Sequence, residues 1–170
     1  MAEQSFVRRA SFHGSRSSVK RIVLRAPNWI GDAVLCEPAI AAVRTLFPQA
    51  ELTLLAKPAI AELFTHDPDL HQILVYDERG AHRGLTGKWR LAEQLRRHRF
   101  DLAILFQNAF EAALIAFLAG IPCRYGYATD GRRLLLSDPV PKPVSPLHQV
   151  RYYLELVRPL GSESRERAPR

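Results

Sequence analysis

The residues best suited to chemistry sit in one stretch near the start of the chain, Arg25-Ala26-Pro27-Asn28-Trp29-Ile30-Gly31-Asp32-Ala33-Val34. It follows the apolar run Ile22–Leu24 and leads into a helical pattern, which puts it in the loop at the carboxyl end of a first strand. Ligands of open α/β sheets bind at that end. Asp32 brings a carboxylate to the mouth of the loop. A carboxylate there has two uses. It can be a general base within hydrogen-bond reach of a substrate hydroxyl, or an N-cap that ties down the first N–H groups of the helix. Gly31 lets backbone approach a ligand or a second element closely. Trp29 supplies a flat wall or anchors the loop in the core. Asn28 contacts a ligand or serves as a turn residue.

Other polar residues stand at comparable places. Asn108, in Gln107-Asn108-Ala109-Phe110-Glu111, is suited to capping an apolar helix over Ala112–Ala119. Arg96, Arg97 and Arg99 crowd the end of a helix and are read as cations favouring its dipole, not as an anion site. Arg124 opens Arg124-Tyr125-Gly126-Tyr127, and Arg132 belongs to the turn Thr129-Asp130-Gly131-Arg132-Arg133. Taken singly, each of these arginines reads as solvated or salt-bridged. His148 opens the last helix and reads as a satisfied structural histidine. The other histidines show neither metal nor triad spacing, and there is no C-x-x-C, so no metal site and no cofactor is implied. The dinucleotide fingerprint G-x-G-x-x-G is absent after the first strand, and so is the P-loop signature.

The elements that must position these residues follow from apolar runs separated by helical patterns. Ile22–Leu24, Leu52–Leu55, Ile73–Tyr76 and Leu102–Phe106 are continuously apolar, as strands buried on both faces are. Arg124–Tyr127 reads as a fifth strand and Leu134–Leu136 as a short sixth. Helices are expected over Ala33–Leu46, from Pro58 to Phe64, over Lys88–His98, over Ala112–Ala119 and over His148–Leu160. Pro38 is expected either to kink the first helix or to start a new one. The spacing suits βαβ units, so the fold class is α/β, a Rossmann-like three-layer domain with a mainly parallel sheet.

Composition narrows the class. The 170 residues are 47% apolar and carry a formal charge of +7, which suits one globular domain with its own core. Residues 1–21 contribute +4, residues 161–170 contribute +1, and the body only +2. A basic tail on a near-neutral body argues against a nucleic-acid module and fits a solvated tail or attraction to an anionic membrane surface. Cys36 and Cys123 read as reduced, packed thiols of a cytoplasmic protein. Residues 1–19 hold no long apolar run, hence no signal-peptide core and no transmembrane helix, and are read as a disordered basic extension. Residues 20–161 are the folded domain, and 162–170 a tail or a truncated interdomain linker.

Asn28-Trp29-Ile30-Gly31-Asp32, Glu37-Pro38-Ala39, Phe47-Pro48, Gln107-Asn108, Arg124-x-Gly126-Tyr127, Asp130-x-Arg132-Arg133 and His148-Gln149-Val150, in this order, resemble the N-terminal half of the bacterial lipopolysaccharide heptosyltransferases. Within that family the likeness is greatest to the heptosyltransferase II group. The resemblance implies half of a two-domain GT-B fold and an inverting transfer of heptose from ADP-heptose to the lipid A–inner core glycolipid. It makes Asp32 the general base. Asn28, Trp29, Gly31, Asn108, Arg124, Arg132 and His148 become candidate contacts to the acceptor, with the arginines facing its phosphates or carboxylates. It also implies that ADP-heptose binds through a C-terminal domain outside these 170 residues, and that the chain alone is inactive. The expected place of work is the cytoplasm, peripherally on the inner face of the membrane. A non-catalytic binding module remains the alternative reading.

Overall fold

The structure, a computed structural model, describes residues 15–161. Strands β1 (Arg21–Arg25), β2 (Glu51–Ala56), β3 (Gln72–Val75), β4 (Leu102–Leu105), β5 (Cys123–Tyr127) and β6 (Asp138–Val140) form one parallel sheet. Their order is β3-β2-β1-β4-β5-β6. Helices α1 (Ile30–Leu46), α2 (Pro58–Leu63), α3 (Gly84–His98), α4 (Phe110–Leu118) and α5 (Gln149–Val157) supply the outer layers. Side chains alternate between two cores. Ile22, Leu24, Leu52, Leu54 and Ile104 pack with Ile40, Val43, Ile60 and Leu156 on the side of α1, α2 and α5. Val23, Leu55, Ala103 and Leu105 pack with Leu91, Leu95, Ala113 and Ile115 on the side of α3 and α4. Both faces are covered, which is why the central strands are apolar without interruption.

The strand order reverses between β1 and β4. The loops that follow these two strands therefore part there, and their parting opens a crevice at the carboxyl edge. Backbone ties hold the two strand ends together: the N–H groups of Phe106 and Gln107 both donate to the Arg25 carbonyl, at 3.1 and 3.2 Å. The loops bearing Asp32 and Asn108 are consequently neighbours.

Three expectations need correction. No second helix starts at Pro38, because α1 is a single helix through it. The bond that Pro38 cannot donate would have gone to the carbonyl of Val34, a residue 50% exposed on the water side of the helix. Residues Arg132–Leu135 form a 3-10 turn, not a strand, and Leu134 is 92% exposed. The sixth strand lies further on at Asp138–Val140, where Pro139 is tolerated because β6 is an edge. Helix α3 begins one turn earlier than Lys88, since Gly84 and Gly87 are part of it. A Cβ at Gly87 would lie 2.2 Å from the His82 backbone carbon, so the glycine is a close-packing residue and not a loop marker. Residues 1–14 of the basic extension and residues 162–170 of the tail lie outside the described residues. The ordered chain starts ahead of residue 20, however, because Val19 is buried in the core.

Candidate functional site

The loop after β1 is built on a buried cation. Arg25 ends the strand at 4% exposure. Its guanidinium donates to the Ala26 carbonyl at 2.6 Å and to Asn28 Oδ1 at 2.7 Å, and lies 5.1 Å over the ring of Tyr76. Burial pulls its pKa down to about 10, against the partly offsetting fields of Tyr76, Glu111 and Glu78. The Tyr76 hydroxyl donates to the Glu111 carboxylate, which also pairs with Lys88 at 3.2 Å. Asn28 is thus a half-buried receiver for Arg25, and the loop leaves the strand in a set direction. Trp29 occupies the N-cap position of α1 with extended backbone and contributes no side-chain cap. Its indole is 76% exposed, which removes the reading of a core anchor.

Asp32 is the third residue of α1, not its N-cap. Its side chain is half-buried and makes no hydrogen bond or ion pair with another described residue. Gly31 beside it is exposed, and a Cβ there would meet nothing within 4 Å. A carboxylate with free lone pairs next to open space can accept a proton from an incoming hydroxyl. Helix α1 packs on α5, which brings the Asp32 charge within electrostatic reach of Tyr153. Burial pushes the Tyr153 hydroxyl above its ordinary range, and the charges of Asp32 and Cys36 add to this against a hydrogen bond from Gln149 Nε2 at 3.1 Å. Burial likewise raises the Cys36 thiol, with Asp32 and Glu37 contributing. His148 is the exposed N-cap residue of α5, immediately before Gln149, and so stands at the same edge.

The loops after β4 and β5 are clamped by Arg132, which is fully buried at 0% exposure. Its Nε donates to the Tyr127 carbonyl at 2.8 Å, Nη1 to the carbonyls of Gln107 and Ala109, and Nη2 to Asn108 Oδ1 at 3.4 Å. Burial pulls its pKa down to about 10. Gly126 makes the room, because a Cβ there would stand 3.0 Å from Arg132 Nη2. Asn108 is held on its other side as well, its Nδ2 donating to the Tyr152 hydroxyl at 2.8 Å. Helix α4 has Ala109 as its N-cap and no side-chain cap, so Asn108 is not a capping residue.

The structure brings together Asn28, Trp29, Gly31, Asp32, Asn108 and His148 at one edge of the sheet. It does not bring Arg124 there. Arg124 pairs with Ala103 near the amino end of β5, three residues or about 10 Å short of the carboxyl edge. Its side chain serves the carbonyls of Leu135 and Ile121 and lies 5.3 Å from the Phe117 ring centroid. Arg132 reaches the edge but spends its donors on main-chain oxygens and on Asn108 Oδ1, so it orders the loops and presents no surface to a ligand. Reading the sequence does not single out Arg25, Tyr152 or Tyr153. The one available signal is an arginine closing an apolar strand, which must find buried acceptors. Among the described residues no group of three His, Cys, Asp or Glu side chains could hold a metal ion. No helix among them is long and apolar enough to cross a membrane.

Residues 88–167 match the profile of glycosyltransferase family 9 (heptosyltransferase). The chain is 28% identical to lipopolysaccharide heptosyltransferase 2 of Escherichia coli over 69% of its own length and 34% of the relative's. It is 29% identical to lipooligosaccharide heptosyltransferase 2 of Haemophilus ducreyi over the same shares. It therefore spans about a third of the length of the curated relatives it matches. Among solved structures, that of ADP-heptose lipopolysaccharide heptosyltransferase II from E. coli superposes with a TM-score of 0.67 at 27% identity, over 80% of this chain and 39% of that one. A glycosyltransferase family 9 protein from Veillonella parvula superposes with a TM-score of 0.77 at 18% identity, over 91% and 45%, and speaks for the fold alone. The resemblance to the heptosyltransferases and the Rossmann-like α/β fold are both borne out.

Proposed function

We propose that residues 15–161, similar to the heptosyltransferases of glycosyltransferase family 9 and folded as half of a GT-B fold, are the acceptor side of an inverting transferase. The enzyme moves heptose from ADP-heptose to the lipid A–inner core glycolipid, in the cytoplasm and peripherally at the membrane. The observation that carries this reading is Asp32, a carboxylate without a protein partner beside the open space at Gly31. In the reaction the acceptor hydroxyl oxygen attacks the anomeric carbon, the bond to ADP breaks, and Asp32 takes the hydroxyl proton. Inversion in one displacement needs a base on the acceptor side and no covalent enzyme nucleophile. Positioned base catalysis of this kind is worth about 10²–10⁴-fold.

Trp29 and Asn108 are the proposed walls of the acceptor subsite, and His148 its outer polar contact. The nucleotide sugar is proposed to bind in the part of the enzyme that corresponds to the relatives' remaining length. The 170 residues alone then turn over no heptose. The test is transfer from ADP-heptose to purified acceptor, measured by product mass, with the chain joined to its donor-binding part. Asp32→Asn should lower kcat by two to four orders of magnitude while leaving folding intact. An Asp32→Asn enzyme with undiminished kcat would remove the base from this position. The same measurement on the 170 residues alone should give no product, and turnover there would show that no further domain is required.

A further inference from the structure

The formal charge is concentrated where the proposed chemistry does not use it. Residues 79–99 hold seven Lys and Arg against the single acid Glu93, a balance of +6 in a chain of +7. Most of these residues belong to α3. Helix α3 packs inward through Leu91, Ala92 and Leu95. Its outward stripe carries Leu85 at 85% exposure and Trp89 at 54%. About two turns further on, Arg96 lies along the same stripe, its guanidinium 5.9 Å from the centroid of the Trp89 ring. Arg83, Arg90 and Arg97 lie along one side of the stripe and are exposed, Arg97 with Glu93 at 3.8 Å. Leu85 and Trp89 stay exposed, whereas Arg96 turns toward α4, its Nη2 donating to the Leu118 carbonyl at 2.6 Å.

An exposed leucine and tryptophan gain nothing from a nucleic-acid phosphate, but both gain from the headgroup–acyl boundary of a bilayer, where tryptophan is enriched. Cations beside them gain from anionic headgroups within a Debye length. Apolar residues on one line with arginines around them are the pattern of a helix that lies on a lipid surface. The fifteen residues of α3 span about 22 Å, long enough for several headgroups. Helix α3 also starts at the carboxyl edge of the sheet, where Lys88 of its first turns pairs with Glu111 of α4. Its apolar end is therefore the end nearer the crevice.

We propose that the outer face of α3, through Leu85, Trp89 and the surrounding arginines, docks the protein on an anionic lipid surface. The usefulness of this contact rests on the acceptor-side reading above, since a lipid-anchored acceptor must be met at the bilayer. The docking itself needs neither sugar nor nucleotide, so the two readings fail separately.

The test is co-sedimentation of the full 170-residue chain with vesicles of phosphatidylcholine, with and without phosphatidylglycerol, at a fixed moderate salt. The wild-type chain should bind the phosphatidylglycerol vesicles and bind neutral ones far less. Arg83→Gln with Arg97→Gln should weaken binding about 25-fold, about fivefold per charge removed. Leu85→Ser with Trp89→Ser should weaken it about tenfold or more. Both pairs replace exposed side chains, and an unchanged melting curve verifies their fold. Failure of the wild-type chain to bind overturns the proposal, and so does equal binding to neutral vesicles. Binding that survives both double variants overturns it as well, by moving the contact to another segment. Tighter binding to single-stranded RNA than to these vesicles at the same salt overturns it in favour of nucleic acid.

Discussion

Replacing Asp32 by alanine separates the two uses of a carboxylate at the start of a helix. If Asp32 were a cap, its loss would cost about 1 kcal/mol, within a range of about 0.5–2. In the structure it bonds no helix N–H group. What the substitution removes is the attraction between its charge and the helix N-terminus, about 0.3–1 kcal/mol. What it adds is the higher helix propensity of alanine, about 0.5 kcal/mol. The two nearly cancel, and the net change should stay within about 0.5 kcal/mol. For 170 residues that is a shift in Tm of about 2 °C or less. The assay is urea and thermal unfolding of the chain followed by circular dichroism, with Asp32→Asn alongside. In the enzyme completed by its donor-binding part, the same substitution should cost about 10²–10⁴ in kcat. A stability loss above about 1.5 kcal/mol would refute the reasoning, because the carboxylate would then be holding the helix and not waiting for a substrate.

Other substitutions probe the frame around it. Gly31→Ala should leave stability unchanged or raise it by up to about 1 kcal/mol in urea titrations, yet weaken acceptor binding in calorimetry, because its Cβ enters space that the protein itself leaves open. Arg132→Met should cost about 3–5 kcal/mol, since it strips several main-chain oxygens of their buried donor; a Tm within about 2 °C of the wild type would show that water replaces the guanidinium. Gly126→Ala should cost about 1–3 kcal/mol by pressing on Arg132 and Leu105, measured as a shift of the urea midpoint. His82 is 7% exposed and accepts the Asp77 N–H at Nδ1, and burial, helped by Arg90, lowers its pKa below 6.5. The folded state then binds fewer protons than the unfolded one, so the stability His82 supplies is complete above pH 6.5 and is lost as pH falls from there through the folded pKa. His82→Asn, whose Oδ1 can accept the same N–H, should flatten that part of the stability–pH curve.

The layered sheet was open to reading because burial on both faces leaves uninterrupted apolar runs, and four of the six strands announce themselves that way. The sixth did not. Leu134–Leu136 looks more like a strand than Asp138-Pro139-Val140, and only the edge position of β6 reverses that preference. The start of α3 was hidden for a similar reason. Gly84 and Gly87 look like loop residues until the backbone of His82 is seen to lie against the helix. At the site, the loop residues were legible by their place after the strands, and Asp32 by its isolation among apolar neighbours. The roles of the arginines were not. A sequence shows that Arg124 and Arg132 are cations, but which carbonyls surround them is a property of the tertiary arrangement. Both turned out to be internal fasteners. Arg25, which looked like the mere border of a strand, fixes the exit of the loop by its bond to Asn28.

The position of β1 at the middle of an all-parallel sheet bears on how the chain is made. Ile22 lies beside Leu52 on one side and beside Leu102 on the other. The central strand therefore leaves the ribosome ahead of both of its neighbours, and the second of them is 80 residues behind it. At about 5–20 residues per second, β1 waits on the order of 4–16 s before both of its edges can be closed. During that time the nascent chain holds out Ile22, Val23 and Leu24, which become almost wholly buried once the sheet is complete. The segment on which the whole edge depends is thus the one most in need of shielding during synthesis.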